Sequence, residues 1–308
     1  MAERVRIGTR GSPLAIRQAE VVAAALRLAW PDLVVELALI RTSGDKLPTA
    51  HLAAVGGKGL FVKEIDEALL EGRVELAVHS LKDLPAALPD GLTLAAFPER
   101  DDPRDVLVSR GAWGLAALPS GARVGTSSLR RRVQLSARRP DLTMEMIRGN
   151  VDTRIRKLQD RLYDAVVLAA AGLRRLGLAL PNAVVLEPHE MLPAVGQGTL
   201  AVEIREDDRA TRERVQPVDH GATRQAAEAE RAFLEAIGGS CTTPLGAYAR
   251  VENGALRLDA FVATPDGARV LRDAETGRGE AAADLGRGLA ERMLAAGAAD
   301  IVRVGSPA

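Results

Sequence analysis

Arginine is concentrated in one stretch of this chain. Between Arg123 and Arg161 stand eleven basic residues: Arg123, Arg130, Arg131, Arg132, Arg138, Arg139, Arg148, Arg154, Arg156, Lys157 and Arg161. Four acids oppose them, Asp141, Glu145, Asp152 and Asp160, so the stretch carries an excess of seven positive charges. Most charge runs are solvated helix faces. Two features favour an anion site here. All but Lys157 are arginine, whose planar fork suits carboxylate or phosphate. The stretch also opens with Gly125-Thr126-Ser127-Ser128, small residues between a strand and a helix, where backbone N–H groups and hydroxyls collect anions.

Other segments repeat parts of this design. In Thr9-Arg10-Gly11-Ser12-Pro13, Arg10 follows a strand and Ser12 precedes a helix; plain capping accounts for Ser12 equally well. Val55-Gly56-Gly57-Lys58-Gly59 is a glycine-rich loop that does not satisfy the phosphate-loop pattern. Val78-His79-Ser80-Leu81-Lys82-Asp83-Leu84-Pro85 sits at the carboxyl end of a strand, where open α/β sheets bind ligands, so Lys82 and Asp83 are expected to face a cleft. A surface turn ended by Pro85 is the simpler alternative. His79 reads as readily as a buried structural histidine as an acid–base group. His51, His79, His189 and His220 show no metal-ligand spacing. Cys241 lies in Gly238-Gly239-Ser240-Cys241-Thr242-Thr243-Pro244, a flexible loop. A thiol there is better placed for a covalent bond than for core packing, although free cysteine is often a small buried hydrophobe.

The elements that must position these residues alternate. Strands are expected at 5–8, 33–40, 75–79 and 92–97, with helices from Ser12 and over 60–70. Ala15, Ala19, Val22, Leu26 and Ala29 share one face of the first helix. This rhythm implies a mainly parallel sheet covered by helices. Pro98 to Pro103 reads as an interdomain crossover. A second α/β series follows, with strands at 106–109, 123–125, 143–147 and 165–169. Leu192 to Gly198 reads as a return crossover, leading into a strand at 199–204. Residues 205–217 are charged and lack a clear period. A helix over 222–237 is expected to bury Ala222, Ala226, Ala229, Phe233 and Ile237. Two strands around Asn253-Gly254 read as a tight hairpin. A strand near 269–273 follows, then a helix with Ala282, Leu285, Leu289, Met293 and Ala296 on one side. The expected domains are 1–98 with 199–216, 103–192, and 221–308.

Composition narrows the function. The chain has 308 residues, 47% hydrophobic and 27% charged, which is globular rather than disordered. Lys and Arg total 41, as do Asp and Glu, and only 3% of residues are aromatic. Neither a global positive field nor stacking platforms for bases are present, so nucleic acid is not the expected partner. The single cysteine fits a reducing cytoplasm. No signal peptide, membrane span or metal site is expected, and the chain reads as a monomer.

Taken together, these segments resemble the hydroxymethylbilane synthase family, also called porphobilinogen deaminase. The matching stretches are Thr9 to Ala15, Val55 to Glu64, Ala77 to Pro85, Val124 to Arg131, Arg148 to Arg154, Leu192 to Gly198, and Cys241 with Pro244-Leu245-Gly246. They stand in the family's order and cover roughly residues 4 to 250. The resemblance implies two periplasmic-binding-protein-like α/β lobes, plus a small C-terminal α+β domain with an antiparallel sheet. It implies a transferase of heme and tetrapyrrole biosynthesis, with the active cleft between the lobes. Four porphobilinogen molecules are joined head to tail, ammonia is released, and water frees the linear tetrapyrrole. The implied cofactor is dipyrromethane, held by a thioether to Cys241.

By the same resemblance Asp83 is the catalytic acid, stabilising the cation left when ammonia departs. Lys58, Lys82, Asp83, Thr126, Ser127, Ser128, Arg130, Arg131, Arg148 and Gly149 are implied to contact the cofactor. Arg10, Ser12, Arg148, Arg154 and Gln197 are implied to contact substrate. The chain departs from the family at Ala54, where many members carry lysine. The arginine-rich segment suits this chemistry, because each porphobilinogen brings an acetate and a propionate. A solute-binding protein would share the two lobes but gives Cys241 no role. A nucleic-acid module would call for aromatic residues within 123–161, and there are none.

Overall fold

The computed structural model describes residues 3–42, 62–111, 113–238 and 243–305, the side chains of 304 and 305 excepted. The chain divides into two compact units, Met1–Asp101 with Thr199–Ala227 and Asp102–Gly198 with Glu228–Ala308. Two of these boundaries fall in the expected crossovers.

In the first unit, β1 (Arg4–Arg10) leads into α1 (Pro13–Ala29), then β2 (Val34–Ile40), α2 (Lys63–Leu70), β3 (Leu76–Ser80) and β4 (Leu92–Ala96). The second unit opens with β5 (Asp105–Ser109), β6 (Arg123–Gly125), α3 (Leu129–Arg138) and β7 (Thr143–Glu145). It continues with α4 (Val151–Gln159), β8 (Ala165–Ala169), α5 (Ala170–Arg175) and β9 (Ala183–Leu186). The chain then returns through β10 (Leu200–Arg205), α6 (Arg209–Val215) and α7 (Gly221–Ile237). It ends with β11 (Leu245–Glu252), β12 (Ala255–Ala263), β13 (Val270–Gly277), α8 (Ala282–Met293) and α9 (Ala299–Gly305).

The two five-stranded sheets have one topology. Their orders are β2-β1-β3-β10-β4 and β7-β6-β8-β5-β9. In each, three parallel strands are followed by one antiparallel strand and then an outer strand. The antiparallel strand is in both cases the one that enters from a crossover, β10 or β5. This bears out the expectation of mainly parallel sheets, four strands of five in each, and adds one antiparallel strand that the sequence pattern did not show. The pattern hid it because β5 and β10 are buried on both faces and read as continuous apolar runs, just as parallel strands do.

Each sheet is covered on both faces. Val5, Ile7, Val22 and Leu26 pack with Val78 and Val202 under α1, whereas Ile65, Leu69, Ala77 and Leu92 pack under α2. Leu107, Leu135 and Val167 fill one side of the second sheet, and Val108, Ile147 and Leu168 the other. Ala29, Ala222 and Ala296 were expected inward but are exposed, while Gln18 is buried on α1. Alanine contributes little on burial, so a helix end can turn one outward at small cost.

Residues 205–217, without clear period in sequence, contain α6. Asp208 caps it, its Oδ1 accepting from Thr211 N at 2.9 Å. Only Thr211 and Val215 are buried on this helix, too few to mark a face. The hairpin is as expected. Asn253 (φ 51°) and Gly254 (φ 80°) form the mirror-image turn whose twist matches paired strands.

A buried acid ties the C-terminal sheet to the return crossover. Glu230 on α7 is fully buried and accepts from Gly196 N at 2.5 Å and Ala249 N at 2.8 Å. Replacing it removes a charged acceptor from two buried N–H groups. We expect Glu230→Ala to destabilise the second unit by about 3 kcal/mol, read as a lower urea midpoint at constant slope. An unchanged midpoint would show that the two N–H groups do not depend on it.

Candidate active site

The first unit gathers its polar residues at the carboxyl ends of β1 and β3. Arg10 is the last residue of β1, and Ser12 caps α1, its Oγ accepting from Ala15 N at 3.3 Å. The chain leaves β3 through a single 3-10 turn, Leu81–Asp83, anchored by Leu81 N to Thr199 O at 3.0 Å. Leu81 and Leu84 are buried on either side of Lys82 and Asp83, which holds the Asp83 carboxylate outward. Arg10, Ser12, Gln18, His79, Ser80 and Asp83 line one recess. Gln18 Nε2 donates to Ser80 Oγ at 2.7 Å and so pins α1 to the end of β3. Gln18 is not among the residues expected on the apolar face of this helix. A glutamine one position from Ala19, in the middle of the apolar stripe, was the signal available.

In the second unit the segment Gly125 to Ser128 joins β6 to α3 as expected. Its groups are already engaged. Thr126 N donates to Glu145 O at 2.8 Å, and Ser127 Oγ donates to Ile147 O. Ser128 Oγ caps α3 by accepting from Arg131 N at 3.4 Å. Below them lies a buried charge cluster that sequence reading missed. Asp105, the first residue of β5, is 0% exposed. Its Oδ2 takes Arg130 Nη1 at 2.7 Å, and its Oδ1 takes Arg131 Nη2 at 2.7 Å and Nε at 3.1 Å. Gln197 Nε2 adds a bond to Oδ1 at 2.9 Å and another to Pro103 O at 2.7 Å. Each arginine also reaches a carbonyl, Arg130 to Leu192 O at 2.6 Å and Arg131 to Val167 O at 2.8 Å. Arg130, Arg131 and Gln197 were expected as ligand contacts; the structure places their head groups around Asp105.

The electrostatics follow from this arrangement. Burial by itself would raise Asp105, but the two guanidinium groups outweigh it and hold the carboxyl well below its ordinary range. Burial in turn lowers Arg130. Two cations against one anion leave an uncompensated positive charge in the interior of this unit. Arg154 on α4 extends it. Burial and then the charge of Arg131 both disfavour its charged form. Arg154 Nε donates to Gly149 O at 2.8 Å, and Lys157 Nζ to Arg148 O at 3.1 Å, so both carbonyls of the Arg148-Gly149 turn are held from α4. Gly149 has φ 112°, and a Cβ there would meet Thr153 Cγ2 at 2.6 Å. Only glycine lets the turn run that close to the helix. Lys58 and Cys241 lie outside the described residues.

The model of the porphobilinogen deaminase dipyrromethane cofactor binding domain matches residues 5–213, and that of the porphobilinogen deaminase C-terminal domain matches residues 224–295. The chain belongs to the porphobilinogen deaminase family. A porphobilinogen deaminase of Syntrophobacter fumaroxidans is 48% identical over 303 residues, 98% of each chain. One of a Roseiflexus species is 51% identical over 294 residues, covering 96% of this chain and 97% of its own. Among solved structures, the methionine-binding protein MetQ aligns over 70% of this chain and 89% of its own, with a TM-score of 0.43 and 15% identity.

For a porphobilinogen deaminase, a resident group with several carboxylates is what this second unit suits. The surplus positive charge around Asp105 and the disfavoured charge of Arg154 are both relieved by an anion beside them. Removing Asp105 instead aggravates the surplus. We expect Asp105→Asn to cost about 3–5 kcal/mol at neutral pH, because two buried guanidinium groups lose their counter-charge. The native carboxyl titrates below the unfolded one. The wild-type advantage is therefore full above about pH 4 and shrinks as the pH falls below it. Urea titrations of both proteins at neutral and acid pH check this; a difference below about 1 kcal/mol at neutral pH would contradict it.

Proposed function

We propose that this protein is a hydroxymethylbilane synthase. It condenses four porphobilinogen molecules head to tail, releases ammonia at each addition, and frees the linear tetrapyrrole with water. The observation that carries the reading is the surplus positive charge held by Arg130, Arg131 and Arg154 around one buried carboxylate, in a chain without net charge. A product that gains two carboxylates with every ring calls for such an environment.

Bound through a thioether to Cys241, dipyrromethane supplies the electron-rich α-carbon onto which the first ring is added. The protein's residues divide the remaining work. Arg10 and Ser12 receive the acetate or propionate of the incoming porphobilinogen. Asp83, exposed at the end of its 3-10 turn, accepts hydrogen bonds from pyrrole N–H and balances the positive charge that develops as ammonia leaves. In each condensation the C–N bond of the aminomethyl group breaks and a C–C bond forms. Asp83 would carry the proton displaced from the attacking carbon to the departing amine, which leaves as ammonium. Arg148 and Arg154 take ring carboxylates directly. Arg130 and Arg131 act through the charge they retain beyond Asp105, and Gln197 holds that cluster in register. Lys58 and Lys82 add cations, Thr126 to Ser128 add polar groups, and Gly149 keeps Arg148 and Arg154 on one turn. The three-domain division, a cytoplasmic site of action and a monomeric state without nucleic-acid partners belong to the same reading. The single cysteine and the absence of net charge support it.

Two measurements test it. Intact mass spectrometry of the purified enzyme should exceed the bare polypeptide by two linked pyrroles, with a positive Ehrlich colour; Cys241→Ser should lose both. A wild-type mass equal to the polypeptide refutes the attachment. Asp83→Ala should lower kcat at least ~100-fold with the melting temperature unchanged, since the side chain is exposed. Near-normal ammonia release by that variant would remove Asp83 from its role.

A further inference from the structure

Three ionisable side chains of the first unit are buried together, and no step of the proposed reaction uses them. His79 on β3 and Glu203 on β10 lie on the sheet face covered by α2. The register sets Ala201 opposite His79 and Glu203 opposite Ala77, which makes the two diagonal neighbours. His79 Nε2 stands 3.0 Å from Glu203 Oε2, an ion-pair distance outside hydrogen-bond geometry. Asp66 is carried by α2 and is influenced by both charges. The exposures are 0% for Glu203, 7% for His79 and 8% for Asp66. Among the described residues, neither Glu203 oxygen nor Asp66 Oδ1 has a hydrogen-bond partner. Two carboxylates and one imidazole cannot all ionise in such a place without leaving a buried negative charge. His79 also lines the recess that holds Arg10, Ser12 and Asp83. The set therefore adjoins the substrate pocket.

We propose that Asp66, His79 and Glu203 form a one-proton switch beneath the Asp83 pocket. The anionic pyrrole binds well while the switch holds its proton and less well once it is lost. This deepens the functional reading and rests on it. Holding the proton leaves the set one charge less negative than it is without it. Loss of the proton adds one buried negative charge under the recess and opposes an incoming carboxylate. Burial, and then the charge of Glu203, push the Asp66 carboxyl up to about 7. The surrounding described elements carry charged groups of their own. Glu64 and Glu67 on α2 raise Asp66 further. On β10, Arg205 is committed to Leu69 O, Val74 O and Asp208. On β1, Arg6 is tied to Glu75, Arg4 pairs with Glu36, and Arg10 stands at the pocket. β4 carries no titratable side chain.

The test compares the KM for porphobilinogen from about pH 5.5 to about pH 8.5 in wild-type holoenzyme, Asp66→Asn and Glu203→Gln. The wild-type KM should rise at least about fivefold more across neutrality than that of Asp66→Asn. The kcat of Asp66→Asn at the acid end should stay within about twofold of wild type. Glu203→Gln removes the repulsion on Asp66 and should move the step in KM to lower pH. An Asp66 that only supports the fold would change the amount of active enzyme and leave the shape of the KM profile intact; parallel profiles overturn the proposal. If Asp66→Asn does not fold, carbon-13 NMR of aspartate-labelled wild-type protein decides. One aspartate titrating near neutrality is expected, and none doing so is contrary evidence. Purified protein without Ehrlich-positive pyrrole, or inactive on porphobilinogen, would overturn the functional reading instead. The NMR titration would still decide the protonation of Asp66.

Discussion

Asp105 is a carboxylate with no exposure to water and two guanidinium groups in contact. An isolated charge in such a place is unaffordable, and one cation would suffice to neutralise it. The second arginine is therefore surplus, and it leaves a net positive charge inside the second unit. It is held rigidly, because each guanidinium also reaches a backbone carbonyl of a neighbouring segment. It is also close enough to Arg154 to disfavour that residue's charge. A polyanion placed beside these groups relieves both repulsions at once, without any side chain having to reorganise.

The topology explains how such groups come to lie where a ligand can meet them. Each lobe places its parallel strands so that their carboxyl ends feed directly into a cap or a short turn. Arg10 and Ser12 follow β1, Asp83 follows β3, and Thr126 to Ser128 follow β6. Strand residues are fixed by the ladder and by core packing on both faces, so the residues just beyond them inherit that precision. Asp105 comes from the other class of strand, the antiparallel one that enters from a crossover. Its place at the first position of β5 brings a carboxylate under the start of α3. The return crossover contributes Gln197 to the same carboxylate and Gly196 to Glu230. Segments that join the two units in sequence are thereby tied down by buried acids.

The two units handle buried charge differently. In the second, Asp105 is overmatched by arginine and stays ionised. In the first, Asp66 and Glu203 share one imidazole, and burial raises Asp66 instead. The same side-chain type is pushed in opposite directions by its neighbours.

Much of this was legible in the order of residues. Alternating apolar patterns located most strands and helices within one or two positions. Ser12 before Pro13 announced the start of α1, and Asn253-Gly254 announced the hairpin. The motifs around Arg10, Asp83, Arg148 and Cys241 indicated a family and hence a chemistry, because local spacing and residue type survive as local structure. What the linear pattern could not carry was direction and partnership. A strand buried on both faces looks the same whether it runs parallel or antiparallel, so the reversed direction of β5 and β10 within mainly parallel sheets was not legible. Arg130 and Arg131 looked like free cations because Asp105, at a separation of 25 and 26 residues, gave no local sign of meeting them. Asp66, His79 and Glu203 come from three separate elements and are buried together only when α2 packs on the assembled sheet. Charge on a side chain is written in the chain, but the desolvation and the counter-charge that decide its state arise only from tertiary packing.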